Sequence, residues 1–170
     1  MDVLERLLTL PVLAGVSRPD LVRLLETAEV RTVADEALLM DIGDLGEDIV
    51  LVIDGGFAVE LGSGTSTLPL AFVGAGEILG ETALFRRSSS RSARVRAVQD
   101  SVIIRLDSTL LDQLSREGSG LPRFIEEAVM RTMARRVHDS ILAIDGVLSS
   151  AIDPAEPKGA LRRLREMFRR

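Results

Sequence analysis

The spacing of apolar residues changes period twice along this chain. Through the first thirty residues Leu4, Leu7 and Leu8 recur on one face, and "SRPDLVRLLETA" opens with Ser17, Pro19 and Asp20 in the order of a capped first turn. Two short helices joined at "PVLAGVS" are predicted. From Ala28 the period becomes two. Short runs rich in branched residues, "AEVRTV", "EALLM", "DIVLVI", "GFAVEL", "TLPLAFV", "SARVRAV" and "SVIIRL", are separated by "GDLGED", "DGG", "GSGTS" and "GAGE". That spacing predicts an all-β sandwich or barrel. Within "SARVRAV", Ala93, Val95 and Ala97 alternate with Arg94 and Arg96, which assigns the two arginines to the solvent face of a strand.

Beyond Leu106 a helical period returns, first in "STLLDQLSR" with Ser108 as its expected cap, then in a segment from Pro122 to about Ile144. Ile125, Val129, Met133, Val137, Ile141 and Ile144 form one apolar stripe. Such a stripe suits either the chain's own β core or the same helix of a second chain. "GVLSSAIDPAEPKG" then has the composition of a linker. In the closing stretch Leu161, Leu164 and Phe168 share a helical face among arginines, a pattern suited to an acidic groove or an anionic membrane surface. The expected organisation is a domain over residues 1–145, a linker over 146–159 and a basic terminal segment over 160–170.

With 170 residues, 46% of them apolar, the chain has material for one good core. No run of 18 apolar residues and no charged-then-apolar leader is present, so a soluble, cytoplasmic protein is expected. The absence of cysteine removes thiolate chemistry, and His138, the single histidine, rules out a histidine-rich metal cluster within one chain. A metal-dependent jelly-roll enzyme is disfavoured on that ground, and His138 is assigned no role. Residues 160–170 carry net +4 against a total of −5, which leaves −9 for the first 159 residues and disfavours nonspecific duplex binding by the main body. The carboxylates Asp41, Asp44, Glu47 and Asp48 lack the spacing of a calcium loop, and solvation of a strand turn is the better reading.

Against that acidic background, "GETALFRRSSSRSARVRA" at residues 80–97 places five arginines behind Glu81. Gly80 and Glu81 are expected to end a strand, and "TALF" has room for one helical turn, whose free amides attract anions. Arginine adds a planar fork that fits two phosphate oxygens. A glutamate beside a phosphate makes sense when the ligand also presents hydroxyl donors, as a ribose does. Phosphate and sugar together imply a nucleotide.

The same stretch resembles the phosphate-binding cassette of the cyclic nucleotide-binding domain family: Gly-Glu, a small-apolar pair, a short loop, then Arg-Ser/Thr-Ala. Gly80, Glu81, Ala83, Leu84, Arg91, Ser92, Ala93 and Val95 match it. The resemblance extends across residues 1 to about 145, with "GDLGED", "DGG" and "GAGEILGE" where the family places its β-roll glycines. It implies a mainly β fold with flanking helices: an antiparallel jelly-roll β-roll, N-terminal helices and a long C-terminal helix. It also implies a ligand site of Gly80, Glu81, Thr82, Ala83, Leu84, Arg91, Ser92, Arg136 and Ser140. In it Arg91 pairs with the cyclic phosphate, Glu81 accepts from the ribose 2′-hydroxyl, and the amides of Ala83 and Ser92 complete the cradle. Arg136 lies near the pocket, and Ser140 with Ile141 occupies the base-reading positions. The implied ligand is cAMP or cGMP, with no other cofactor and no catalytic or metal-binding residue.

Only 26 residues follow Ile144, too few for a helix-turn-helix domain, so no DNA binding is expected of this chain alone. A non-enzymatic bacterial regulatory module is expected, signalling through its C-terminal helix to a protein effector or to a homodimer mate across helix 122–144. The alternative is a β-roll scaffold for protein interaction that binds no nucleotide.

Overall fold

A computed structural model describes residues 2–63, 66–81 and 90–151. The predicted runs appear as strands β1 (Glu29–Val33), β2 (Leu38–Met40), β3 (Asp48–Asp54), β4 (Gly56–Ser63), β5 (Ser66–Gly74), β7 (Arg94–Ala97) and β8 (Ser101–Asp107). One further strand, β6 (Ile78–Leu79), ends just before Gly80, where the sequence placed a strand end without giving its start. Two residues are too few to show a period, and β6 exists because Val50 and Leu51 of β3 pair with it. The helices are α1 (Val3–Thr9), a 3₁₀ turn at Pro11–Leu13, α2 (Arg18–Thr27), α3 (Ser108–Arg116) and α4 (Leu121–Ala151).

All pairings are antiparallel and form two four-stranded sheets, ordered β1-β8-β3-β6 and β2-β7-β4-β5. Successive strands largely alternate between the sheets, the jelly-roll arrangement expected from the sequence. Alternation of side chains decides what each face does. Val50 and Val52 of β3, Ile103 of β8, Phe57 of β4, Val73 of β5, and Val95 and Ala97 of β7 meet in one buried cluster between the sheets. The opposite face of β3, Ile49, Leu51 and Ile53, is also buried, because α1 packs on β3 and α3 packs on β8. A strand covered on both sides has no polar face to show, hence the near-continuous apolar run "IVLVI".

The helix ends follow from capping chemistry. Ser17 caps α2 as predicted, its hydroxyl accepting from the Asp20 amide at 3.2 Å and donating to the Asp20 carboxylate at 2.6 Å. The cap of α3 is Asp107, whose carboxylate accepts from the Leu110 amide at 2.8 Å, so the expected Ser108 is the first helical residue. α4 runs seven residues past the predicted end, through Gly146 and into the expected linker. A single glycine costs a helix only about 1 kcal/mol relative to alanine, so Gly146 does not end it. The chain divides into two compact units, Met1–Thr132 and Met133–Arg170, and α4 contributes to both.

Within the first unit, the turn between β3 and β4 is fixed by Ser101: the Gly56 amide donates to its hydroxyl at 3.0 Å, and that hydroxyl donates to the Gln99 carbonyl at 2.8 Å. Gly55 adopts φ +87, and a Cβ there would lie 2.6 Å from the Ser101 backbone. Gly43 has a similar φ of +90 and nothing within 4 Å of its Cβ position. Gly55→Ala is therefore expected to cost clearly more than the roughly 1–3 kcal/mol of a left-handed residue, and Gly43→Ala to stay within that range, as read from urea midpoints.

Candidate functional site

Arg91 enters the site from the segment just before β7. Its backbone is clamped to the β2–β3 loop: the Arg91 amide donates to the Asp44 carbonyl at 2.8 Å and the Gly43 amide donates to the Arg91 carbonyl at 2.9 Å. An isolated bridge between Leu45 and Ser90 extends the same pairing. The side chain turns inward and is 8% exposed.

Two glycines make room for it. The Arg91 guanidinium occupies the place where a Cβ on Gly46 would stand. A Cβ on Gly80, whose φ is +75, would come within 2.5 Å of Nη1 and 3.0 Å of the Asp48 carbonyl. Glu81, the next residue in the chain, is buried at 8% exposure. Gly80, Glu81 and Arg91 are thus brought together in the first unit.

The guanidinium is held at one end. Its Nη2 donates to the Asp48 carboxylate Oδ1 at 2.6 Å and to the Asp48 carbonyl at 3.0 Å. Its Nη1 is buried and has no hydrogen-bond partner among the described residues. A buried donor left unmet costs about 1–3 kcal/mol, and more when it carries charge. The arrangement is a cation with one nitrogen fixed and another buried without an acceptor among the described residues, a donor that an anionic oxygen would satisfy.

Asp48 was read from the sequence as a solvated turn carboxylate, and the structure corrects that. It shares strand parity with Val50 and Val52, so it points to the inward face of β3 and is 9% exposed. A carboxylate there must be paired. Besides Arg91, it accepts from Arg105 Nε at 2.8 Å through Oδ2, and Arg105 Nη1 stands 3.8 Å from Glu29 Oε2. Arg105 shares the inward parity of Ile103 on β8, the neighbouring strand. The bond to Asp48, ahead of any other influence, raises the pKa of Arg105 above the ordinary arginine value. The signal that would have found Asp48 and Arg105 is a charged residue at an inward position near the end of each of two paired strands.

Arg94 alternates with buried Val95 and Ala97 on β7 as expected, and it forms a two-pronged pair with Asp41, Nε to Oδ1 at 2.9 Å and Nη2 to Oδ2 at 3.1 Å. Arg96 donates to the Glu36 carbonyl at 2.7 Å. Asp44 accepts from the Asp41 amide at 2.9 Å, so the loop's carboxylates serve backbone N–H groups and arginines. Among the described residues no group of three histidine, cysteine, aspartate or glutamate side chains is arranged to hold a metal ion.

Of the remaining expected site residues, Ser92 is exposed beside Arg91. Thr82, Ala83 and Leu84 lie outside the described residues. Arg136 and Ser140 lie on α4 within the second unit, and the Ser140 side chain is likewise outside what is described. No helix among the described residues is long and apolar enough to cross a membrane.

Residues 30–117, just over half of the chain, match the family described as cyclic nucleotide-binding domain. The chain belongs to that family. It is similar to an uncharacterised NTE family protein of Mycobacterium bovis and to its Mycobacterium tuberculosis counterpart, each 29% identical over 164 residues that cover 92% of this chain. The matched region spans 27% of those relatives' length. Among solved structures it is similar to a cyclic nucleotide-binding domain from Methylobacillus flagellatus, with TM-score 0.70, 20% identity and coverage of 88% of this chain and 85% of that one. It is also similar to the catabolite activator protein of Thermus thermophilus, with TM-score 0.64, 26% identity and coverage of 81% and 62%. The cyclic nucleotide-binding domain family thus supplies the context for the buried cation.

The Asp41–Arg94 pair braces the β2–β3 loop against β7 and makes a pH-dependent contribution. The Arg94 bond, then the Ile42 amide, hold the Asp41 carboxyl below its ordinary pKa. A depressed carboxylate stabilises the fold above the unfolded-state value of about 3.9 and loses that contribution as pH falls through the folded value. Asp41→Asn should therefore lower the urea midpoint at pH 7, and its deficit relative to wild type should shrink by pH 3.5.

Proposed function

We propose that this chain is a receptor module for a cyclic mononucleotide, cAMP or cGMP, and that the reading rests on Arg91 Nη1. That donor is buried, charged and without a described partner, in the stretch that resembles a phosphate-binding cassette. In this reading a phosphate oxygen meets Nη1 while Nη2 stays on Asp48. Glu81 accepts from the ribose 2′-hydroxyl. The amides of Ala83 and Ser92 face the phosphate within the Gly80–Leu84 and Arg91–Ser92 segments, and Thr82 lies in the same cradle. Arg136 and Ser140 of α4 contact the base side of the ligand.

The role is regulatory, with α4 as the output. The stripe read from the sequence divides in a way that supports this. Ile125 and Val129 are buried in the first unit, whereas Val137 and Ile141 are 59% and 58% exposed in the second. An exposed apolar face on a helix is a surface for a dimer mate or an effector. If the ligand binds two positions of α4 with different affinity, it shifts their populations.

Titrating cAMP and cGMP into wild type and Arg91→Ala by calorimetry tests the reading. Loss of a charged partner from a buried phosphate costs about 2–5 kcal/mol. That corresponds to a roughly 30- to several-thousand-fold weaker Kd. Equal affinities reject the site. Failure of cAMP, cGMP and a cyclic dinucleotide to raise the wild-type melting temperature, with a partner complex retained, favours the scaffold alternative.

A further inference from the structure

Three charged groups stand in series at the site. Asp48 gives Oδ1 to Arg91 and Oδ2 to Arg105, and it is 13% exposed as a side chain while Arg105 is 42% exposed. The two arginines and one aspartate carry a net charge of +1. Were Asp48 paired with Arg91 alone, the pair would be neutral, and an incoming anion would meet a cation already compensated. Arg105 takes up that compensation through the other carboxylate oxygen. Its other carboxylate neighbours are weaker claimants: Glu29 is 3.8 Å away and 60% exposed, and Asp107 is engaged with the first turn of α3. Counting buried Glu81 lowers the total by one in every variant and leaves the difference unchanged.

We propose that Arg105 is a positioning residue that sets the charge Arg91 offers to a ligand phosphate by neutralising Asp48 through its second carboxylate oxygen. This inference rests on the cyclic nucleotide reading and deepens it. Asp48 keeps two jobs that would otherwise conflict. It fixes the Arg91 fork through Nη2, which is geometric, without cancelling the arginine's attraction for an anion, which is electrostatic.

The experiment is a titration of cAMP and cGMP into wild type, Arg105→Met, Arg105→Lys and the double variant Asp48→Asn/Arg105→Met, with melting temperatures recorded alongside. Arg105→Met removes one unit charge from the cluster, and loss of a charge acting through effective dielectric constants of about 20–80 is expected to weaken binding roughly 3- to 30-fold. Arg105→Lys restores the charge and most of the affinity. The double variant returns the cluster to +1 by removing the Asp48 charge as well, and an asparagine oxygen can still accept from Arg91 Nη2, so it should bind more tightly than Arg105→Met. A purely structural role for Arg105 predicts the opposite order, because the double variant loses more native contacts. Should Arg105→Met fail to fold, Arg105→Gln keeps a donor for Asp48 and serves the same comparison. Wild-type binding with an unchanged Arg105→Met, or a double variant weaker than the single, overturns the inference and leaves the receptor reading intact. Absence of binding by wild type to either nucleotide overturns the reading and the inference with it.

Discussion

A guanidinium buried between two glycine backbones must find acceptors for its N–H groups and a counter-charge within a small volume. The architecture around Arg91 follows from that requirement. Any side chain at 46 or 80 would occupy the space of the guanidinium, so both positions are glycine. The counter-charge comes from Asp48 at the start of β3, because inward parity at that strand end aims a side chain toward the fork. A paired charge inside a protein is weak evidence for stability, since desolvation offsets most of the attraction. The pair therefore speaks for a site more than for a scaffold, above all when one N–H of the cation is unmet among the described residues.

The β-roll turns this local demand into a defined position. Arg91 is fixed through its backbone to the β2–β3 loop, that loop is braced to β7 by Asp41 and Arg94, and Asp48 and Arg105 sit on paired strands. The ties join the β2–β3 loop, β7 and the central β3–β8 pair, so a displacement of one element is resisted by the others. Asp48 also lies opposite Asp107 in the β3–β8 register, and Asp107 caps α3. The anion site and the start of the helical segment that leads to α4 thus lie at the same end of that strand pair.

Much of this was legible before any coordinates. A period of two over short branched runs located seven strands, because half-buried strands must alternate. β6 was legible only as a strand end at Gly80 and Glu81, because two residues carry no period. Arg91, Gly80 and Glu81 were singled out because a lone acidic residue followed by arginines and small residues is hard to explain as solvated surface. Asp48 and Arg105 were missed for the opposite reason. Each looked ordinary in its neighbourhood, one among four loop carboxylates and one in a strand of apolar residues. Only the inward parity set by pairing, Val50 with Arg105 and Val52 with Ile103, shows that both face the interior. Arg94 was assigned to solvent by alternation, correctly as to face; its partner Asp41 lies 53 residues away, beyond the reach of any local pattern.

The central claim is that Arg91 holds a phosphate oxygen on one nitrogen while Asp48 keeps the other. A crystal structure of the protein with bound cAMP or cGMP tests it directly. The account predicts a phosphate oxygen within hydrogen-bonding distance of Arg91 Nη1, with Nη2 still on Asp48. A nucleotide bound elsewhere, or an Arg91 that remains on Asp48 without touching the phosphate, would contradict it.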